Sequence, residues 1–187
     1  MKQVSLPEFI EFLSTQSASD FKGTSVNQFL AEHFVPQDDY LPFIYFREET
    51  YGRNLVYRSE LFELLVITWL PQQRTPIHDH SGQRCWMTLQ SGSLHFKNYK
   101  VGADGSELVV SGPVEVHSAG ENVYIDDGLG VHSIANATSR PAISVHLYAG
   151  PIAACRIYNE KRRCFDTVQL AYFTCPSLLD SVLSTST

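Results

Sequence analysis

Residues 78–92 read HDHSGQRCWMTLQSG, a stretch in which one residue separates two histidines and a cysteine follows five positions after the second. If the stretch begins as a strand, His78 and His80 face one side and Asp79 faces the other, because side chains alternate along a strand. Two imidazoles on one face suit a shared metal ion. The stretch therefore predicts a metal-binding strand just before the apolar run that starts at Cys85.

A further histidine, His132, occurs later in the chain. Residues 120–136, GENVYIDDGLGVHSIAN, supply a turn-rich lead-in to His132. If His132 joins the pair at one metal, three neutral imidazoles without a carboxylate leave an octahedral ion with open positions and its full positive charge. Because imidazole suits Zn, Cu, Fe and Ni alike, the residues alone leave the metal open. The alternative for the first two histidines is a surface turn or a hydrogen-bonded pair, and we expect structural or surface roles for His33, His95 and His117.

The chain on both sides of these segments is rich in short β-type runs. From about Tyr51 onward, Gly, Pro, Asn and Asp turns separate runs that are typical of an antiparallel sandwich or barrel. No stretch between them is long and periodic enough for a crossover helix, so a parallel βαβ sheet is not expected. The predicted fold class is mainly β, as a small β-barrel. Its strands are predicted at residues 61–70, 85–90, 93–99, 107–112, 122–125, 131–136, 142–148 and 165–173.

The beginning of the chain carries helix signals instead. Ser5 followed by Pro7 is typical of an N-cap with proline in the first turn, and Phe9 lies on the apolar face that follows. A second helix is expected to start at Ser25, and a third is expected over residues 39–46.

We predict one domain over residues 1–187. Its N-terminal helices (1–50) pack on a β-barrel (51–175), and the tail (176–187) forms a short helix or is disordered. The length and the 43% hydrophobic content are enough to bury a sizeable core without disulfide or metal staples.

Charge and hydropathy exclude several classes of partner. The net charge is -6, the pI is near 5.6, and the 14 Lys and Arg are scattered, so no basic face for a nucleic acid is expected. Charges interrupt every apolar run near the N-terminus, and no later run has the length needed to cross a bilayer. We expect a soluble cytoplasmic monomer without a membrane partner.

Four widely spaced cysteines show no CxxC pair, which excludes a zinc knuckle and a thioredoxin-like motif. In a reducing cytosol they are not expected to form disulfides. Cys164 and Cys175 are expected to fill buried apolar positions.

The two histidine segments resemble the paired motifs of the cupins, in which two strands of a small barrel deliver a histidine pair with a glutamate, and then a later histidine, to one metal. The resemblance covers roughly the middle third of the chain and implies a cupin-type, jelly-roll-like barrel. Cys85 stands at the glutamate position, so the expected ligands are His78, His80 and His132. Asp126 stands where the second motif commonly has proline.

From about residue 51 to residue 172 the chain also resembles the cysteine dioxygenase family. Cys85 matches the cysteine that, in many animal members, forms a thioether with an active-site tyrosine. AISVHLY, residues 142–148, matches the Ser-His-Tyr relay beside the iron, and alternation on a strand places its three polar residues on one face. YGRNLVYR, residues 51–58, matches the segment whose arginine and tyrosine hold the substrate carboxylate.

This resemblance implies an Fe(II) dioxygenase that converts L-cysteine and O2 into cysteine sulfinic acid without an external reductant. It assigns the substrate carboxylate to Arg53 and Tyr51, and arginine is suited to this because its planar fork binds a carboxylate through two charge-assisted hydrogen bonds. It assigns the relay to Ser144, His146 and Tyr148, and it makes a thioether between Cys85 and Tyr148 possible. Gly150 departs from the family, since some members have proline there.

Several alternatives stay open. The substrate could instead be 3-mercaptopropionate or cysteamine: Arg53 favours cysteine, whereas Arg156 leaves the question open. Arg53 could be a surface partner of Glu48, Glu49 or Glu60, and Cys155 could lie near the entrance of the site or be structural. A cupin that binds metal without catalysis, or a zinc isomerase, is the rival from another functional class.

Overall fold

A computed structural model describes residues 1–175 of the chain, and β-strands dominate these residues. The strands are β1 (Lys2–Gln3), β2 (His33–Phe34), β3 (Gly52–Arg58), β4 (Glu63–Trp69), β5 (Cys85–Ser91), β6 (Ser93–Val101), β7 (Leu108–Val110), β8 (Glu115–Ser118), β9 (Asn122–Ile125), β10 (Val131–Ala135), β11 (Ala142–Tyr148), β12 (Ala154–Asn159) and β13 (Cys164–Gln169). Two α-helices precede most of them, α1 (Leu6–Ser14) and α2 (Ser25–Glu32), and short 3-10 helices occupy Gln37–Phe43 and Asp127–Leu129. The predicted fold class, mainly β, is confirmed.

Two antiparallel sheets face each other across a buried core. One sheet has five strands in the order β3-β4-β11-β5-β9. The other is centred on β6, which pairs with β10 along one edge and with the short strands β7 and β8 along the other. Among residues 1–175 the sheets do not close into one continuous barrel, and the arrangement is a jelly-roll-like sandwich. Its core contains side chains from both sheets, including Leu65, Met87, Leu94, Phe96 and Ile134.

The N-terminal helices cover the outer face of the five-stranded sheet. Apolar side chains of α1 and α2 pack in one cluster with the outward-facing residues of β4 and β11: Leu6, Phe9, Leu13, Val26, Leu64, Val66, Val145 and Leu147. Because both faces of this sheet are covered, every residue of β4 and of β11 is buried. Strands β4 and β11 therefore lie in the middle of three layers, which fixes their position.

The helix signals are largely confirmed. Ser5 caps α1, accepting a hydrogen bond from the Glu8 backbone while the Glu8 carboxylate accepts one from the Ser5 backbone, which is a capping box. The second helix starts at Ser25 as predicted. The third prediction was only partly right, because the segment is a 3-10 helix at Gln37–Phe43 with Pro42 inside it. Proline lacks the N–H that a longer α-helix would need there.

The predicted runs all contain strands, but five strands were missed, including the two-residue strands β1 and β2. β3 was interpreted only as a substrate-binding segment. β8 and β12 have mixed polar and apolar residues without a clear alternation, and their pairing with neighbouring strands, not their composition, makes them strands. Neither described α-helix is long and apolar enough to span a bilayer. The predicted tail, 176–187, lies outside the described residues, and the division into a single domain stays a prediction.

Candidate metal centre and active site

Three imidazoles converge at one end of the space between the sheets. One nitrogen from each of His78, His80 and His132 lies within 4.8 Å of the others. The ring centroids are 4.7 Å apart for His78 and His132, 4.9 Å for His80 and His132, and 5.4 Å for His78 and His80. The convergence that the cupin resemblance implied is therefore present.

Backbone pairing with β10 creates this convergence. His78 and His132 exchange backbone hydrogen bonds, N to O, of 2.9 and 3.1 Å. His80 lies in the loop beyond, where its backbone N–H donates to Asp127 Oδ1 at 2.7 Å. The prediction that residues 78–80 form a strand was wrong: only His78 forms isolated bridges, because Asp127 draws the following backbone into a turn.

The ring nitrogens of the three histidines are placed to bind a metal ion. His78 Nδ1 lies 3.0 Å from the Pro76 carbonyl and donates to it, which leaves Nε2 free as a ligand. His132 Nε2 is buried and has no hydrogen-bond partner among the residues described. Such an atom is costly unless something outside the chain coordinates it. His80 Nδ1 lies 3.6 Å from Asp127 Oδ1, a distance at which the carboxylate orients the ring electrostatically without a full hydrogen bond.

His78 and His132 are in the neutral form that binds metals. Burial, and secondarily His80, lowers the pKa of His78 to about 4. Burial likewise lowers the pKa of His132 well below its usual value. Neutral imidazoles are ligands at physiological pH without first losing a proton.

No carboxylate belongs to the metal-ligand cluster found within residues 1–175. The nearest candidate in sequence, Asp79, is buried and points away, as predicted. Its carboxylate accepts hydrogen bonds from the Arg156 backbone at 2.9 Å and from Arg156 Nε at 2.6 Å. The site therefore has a neutral donor set, and a divalent ion there would retain its charge for an anionic ligand.

The predicted polar stripe on β11 forms a hydrogen-bonded chain beside the histidines. Trp69 Nε1 donates to Ser144 Oγ at 2.9 Å, and Ser144 Oγ lies 2.8 Å from His146 Nε2. Because the indole N–H can only donate, the Ser144 hydroxyl accepts that hydrogen bond. The hydroxyl can then donate its own hydrogen bond to His146 Nε2. His146 Nδ1 then carries the ring proton and faces Tyr148 Oη, 3.4 Å away.

This chain is electrically neutral. Burial, then the positive charge of Arg53, lowers the pKa of His146 to about 3. Burial raises the pKa of the Tyr148 hydroxyl well above its usual value, although Arg53 opposes the shift. Tyr148 therefore keeps its proton and is available as a hydrogen-bond donor at the cavity.

Cys85 lies beside this chain on the neighbouring strand. Cys85 of β5 pairs directly with Tyr148 of β11, and its Sγ lies 3.8 Å from His146 Nδ1. Burial raises the pKa of the thiol, so the residue is a thiol at neutral pH. The structure thus places side by side the two residues that the resemblance links through a thioether.

A cavity of about 120 Å³ opens between these groups, and its size suits a small molecule. Tyr51, Arg53, His78, His80 and Tyr148 line it. The Tyr51 ring stacks on Trp69 with centroids 5.1 Å apart. The cavity therefore presents imidazoles, a phenol and a guanidinium to whatever it binds.

Arg53 has an ion-pair partner that the sequence did not suggest. Its side chain is 11% exposed, and Nη2 lies 3.3 Å from the carboxylate of Glu63, not near Glu48, Glu49 or Glu60 as the alternative expectation proposed. Glu63 could have been noticed as the single charge inside the apolar run of residues 61–70. Asp127 carried a weaker signal, since acidic residues in turns are common.

The other residues left open have clear positions. Arg156 is 59% exposed, binds Asp79 and stacks over Phe165, and it does not line the cavity. Cys155 is buried and does line the cavity. The remaining histidines lie elsewhere: His33 contacts the Phe29 carbonyl, His117 contacts Glu115 and Glu121, and His95 lies on β6.

Comparison with known proteins is consistent with this geometry. Residues 13–161 match the family model described as cysteine dioxygenase type I. The chain is 28% identical over 185 residues to cysteine dioxygenase type 1 of Danio rerio, covering 92% of this chain and 90% of that one. It is 25% identical over 164 residues to cysteine dioxygenase type 1 of Homo sapiens, covering 86% and 82%.

Among solved structures, the chain resembles a conserved protein with a double-stranded β-helix domain from Klebsiella pneumoniae. The TM-score is 0.51 and the identity 20%, over 63% of this chain and 92% of the other. This likeness supports the jelly-roll fold only.

Proposed function

Because the chain belongs to the cysteine dioxygenase type I family and is a thiol dioxygenase, we propose that its metal is iron(II) and its substrate L-cysteine. The product is cysteine sulfinic acid, in which both atoms of O2 are bound to sulfur. One observation carries the proposal: three imidazoles converge beside a small cavity that is also lined by the guanidinium of Arg53.

The metal assignment follows from the chemistry of the reaction. When bound by His78, His80 and His132, a redox-active ion supplies the reactivity toward dioxygen that protein side chains lack. Zinc binds similar donor sets but has no redox chemistry, so it does not support an oxygenase. The neutral donor set and the family membership together favour iron(II).

The carboxylate of the substrate is assigned to Arg53 and Tyr51. Arg53 is largely buried, and its Nε has no hydrogen-bond partner in the described part of the chain. A guanidinium in a sheltered cavity binds a carboxylate more strongly than one in water. We expect the hydroxyl of Tyr51, whose ring is held by stacking on Trp69, to donate a hydrogen bond to the same carboxylate.

The relay residues are assigned to the orientation of the reacting atoms. The neutral His146, fixed by Ser144, positions the Tyr148 hydroxyl, which keeps its proton and donates it as a hydrogen bond toward the sulfur and dioxygen. We also propose that Cys85 Sγ forms a thioether with the Tyr148 ring. An S–C bond forms while the S–H and one ring C–H bond break, and dioxygen accepts the two electrons and the two protons to become hydrogen peroxide.

Two remaining expectations concern the setting of the enzyme. We propose that it works on a free small thiol and O2, as a single-domain monomer in the cytoplasm, without a nucleic-acid partner. Arg156 does not compete with Arg53 for the substrate, since it is held by Asp79 outside the cavity.

The leading rival substrate is 3-mercaptopropionate, because it also has a carboxylate for Arg53. Cysteamine lacks that group, and a cavity with a guanidinium gives it no matching contact. The test is anaerobic purification, metal analysis, and oxygen consumption with L-cysteine, 3-mercaptopropionate and cysteamine. We expect iron and the highest kcat/KM for L-cysteine. A zinc-loaded protein that consumes no oxygen with any of these thiols would sink the proposal.

A further inference from the structure

Glu63 is a buried carboxylate that the proposed function does not use. It is the first residue of β4, and its side chain is fully buried. Burial raises the pKa of this carboxyl, while the Tyr172 hydroxyl and the charge of Arg53 act in the opposite direction. A buried carboxylate is expensive unless it is paired and hydrogen-bonded, and Arg53 and Tyr172 are two of the groups that stabilise this one.

Those two partners lie on opposite sides of the carboxylate. Arg53 Nη2 lies 3.3 Å from Oε1, and the Tyr172 hydroxyl donates to Oε2 at 2.9 Å. Arg58 in turn donates to the Tyr172 hydroxyl at 3.2 Å. Glu63 therefore occupies only one of the several N–H donors of Arg53.

The segment that carries Tyr172 is itself attached to the strand of Arg53. The Phe173 backbone donates to the Arg53 carbonyl at 2.6 Å, and the Leu55 backbone donates to the Thr174 carbonyl at 2.9 Å. The guanidinium is therefore surrounded by strand β3, residues 172–174 and Glu63, which are hydrogen-bonded to one another.

The register of the sheet shows how Glu63 directs Arg53. Arg53 lies opposite Ile67, whereas Glu63 lies next to Tyr148 in the sheet. Glu63 and Ile67 are four residues apart on the same strand, which is about 13 Å. To reach Glu63, the Arg53 side chain must extend along the inner face of the sheet toward Tyr148.

We propose that Glu63 is a positioning residue for substrate recognition: its carboxylate holds the extended side chain of Arg53 so that Nε, which has no hydrogen-bond partner within residues 1–175, faces the carboxylate of the bound thiol. The inference rests on the proposed function, because it takes Arg53 as the group that binds the substrate. Glu63 then makes the site selective for thiols that have a carboxylate, without touching the substrate itself.

The test measures binding without turnover. Metal-loaded protein is titrated anaerobically with L-cysteine and with cysteamine, for the wild type and for Glu63→Gln. We expect L-cysteine to bind about tenfold more weakly to the variant, or about 1.4 kcal/mol. Cysteamine affinity should change less than about twofold, since it lacks the group that Arg53 binds. Glu60→Gln is the matched control, because it removes the same charge from an exposed position three residues away, and it should change neither affinity.

Two further variants separate positioning from folding. Glu63→Asp keeps the charge but shortens the reach to Arg53, and it should also weaken L-cysteine selectively. In an Arg53→Ala background, Glu63→Gln should have no further effect on L-cysteine affinity, because the contact it supports is already absent.

The possible failures are distinguishable. If the wild type does not oxidise L-cysteine, the proposed function is wrong. If Arg53→Ala leaves L-cysteine affinity unchanged, the assignment of Arg53 is wrong. If Arg53→Ala weakens L-cysteine binding but Glu63→Gln and Glu63→Asp do not, or if they weaken cysteamine equally, the positioning role of Glu63 is overturned.

Discussion

The two faces of β11 are equally buried, yet only one of them is equipped for chemistry. On the outer face, Val145 and Leu147 pack under the N-terminal helices. On the inner face, Ser144, His146 and Tyr148 hydrogen-bond in a line beside the histidine cluster. Burial by itself therefore does not distinguish a site from a core.

Cavity size does not distinguish them either. The outer face borders a cavity of about 350 Å³ under the helices, and the inner face borders one of about 120 Å³. What sets the smaller cavity apart is that two of its lining side chains have unsatisfied buried atoms, since neither Arg53 Nε nor His80 Nδ1 has a hydrogen-bond partner within residues 1–175. Each such atom costs about 1–3 kcal/mol in a folded chain that has nothing else to bind. Unpaired buried donors are the clearest sign that the inner face is made to hold ligands.

The largest expected effect comes from His132→Ala, which changes the metal site and leaves the outer face of β11 intact. His132→Ala removes one of three ligands, and we expect the protein to lose its metal and with it all oxygen consumption on L-cysteine. Elemental analysis after anaerobic purification measures the loss. His33→Ala, on the helix side, is the control and should retain the metal. Full iron occupancy in the His132 variant would show that the cluster is not the metal site.

Features of the site could be predicted from the sequence when they depend on residues that are adjacent in the chain, and not when they depend on residues far apart. The stripe on β11 could be predicted because alternation along one strand is a property of adjacent residues. The convergence of His132 with the histidine pair could be predicted only with the cupin resemblance, since long-range pairing has no local signal. For the same reason the strand predicted at residues 78–80 was wrong: Asp127, far away in sequence, turns the backbone there.

The ion pair of Arg53 and Glu63 could not be predicted from the sequence, for a geometric reason. Their side chains meet across four residues of register in neighbouring strands, and a bulge between Leu55 and Tyr57 shifts that register. Neither the register nor the bulge follows from the hydrophobic pattern. A charge inside an apolar run signals that a partner exists, but only the fold identifies the partner.

A substitution on the outer face should have the opposite profile to His132→Ala. Leu147→Ala removes a buried side chain between two inner-face residues, and we expect the free energy of unfolding to fall by about 2–4 kcal/mol. Oxygen consumption per bound iron should stay within about twofold of the wild type, because Leu147 does not line the smaller cavity. Urea unfolding and iron-normalised activity measure the two effects. A large loss of activity per iron would mean that the two faces are not independent.

Acid should weaken the inner face selectively in the metal-free protein. The folded-state pKa values of His78 and His146 are lowered from 6.5 to about 4 and about 3. The unfolded chain therefore binds protons below pH 6.5 that the folded chain does not, and stability present above pH 6.5 is lost as the pH falls toward those values. Each histidine contributes up to about 1.4 kcal/mol per pH unit.

Unfolding curves of the metal-free protein between pH 6.5 and 5 measure this slope. His146→Asn removes one titrating group and should reduce the slope, whereas Leu147→Ala should shift the curve downward with the slope unchanged. An identical slope in the wild type and in His146→Asn would contradict a neutral, buried His146.

The smallest expected effect on stability comes from Tyr148→Phe, which tests the proposed thioether with little change in packing. Tyr148→Phe removes a hydroxyl whose contact with His146 is 3.4 Å long, so we expect a loss of at most about 1 kcal/mol. The proposed thioether to Cys85 should nevertheless disappear, because the oxidation that forms it needs the phenol. Gel migration and mass spectrometry of the linked peptides detect the loss, and Tyr124→Phe on the neighbouring β9 is the control. A cross-linked species that persists in Tyr148→Phe would mean that the link joins other residues. Ser144, His146 and Tyr148 would then be held on the inner face by hydrogen bonds, without a covalent link to Cys85.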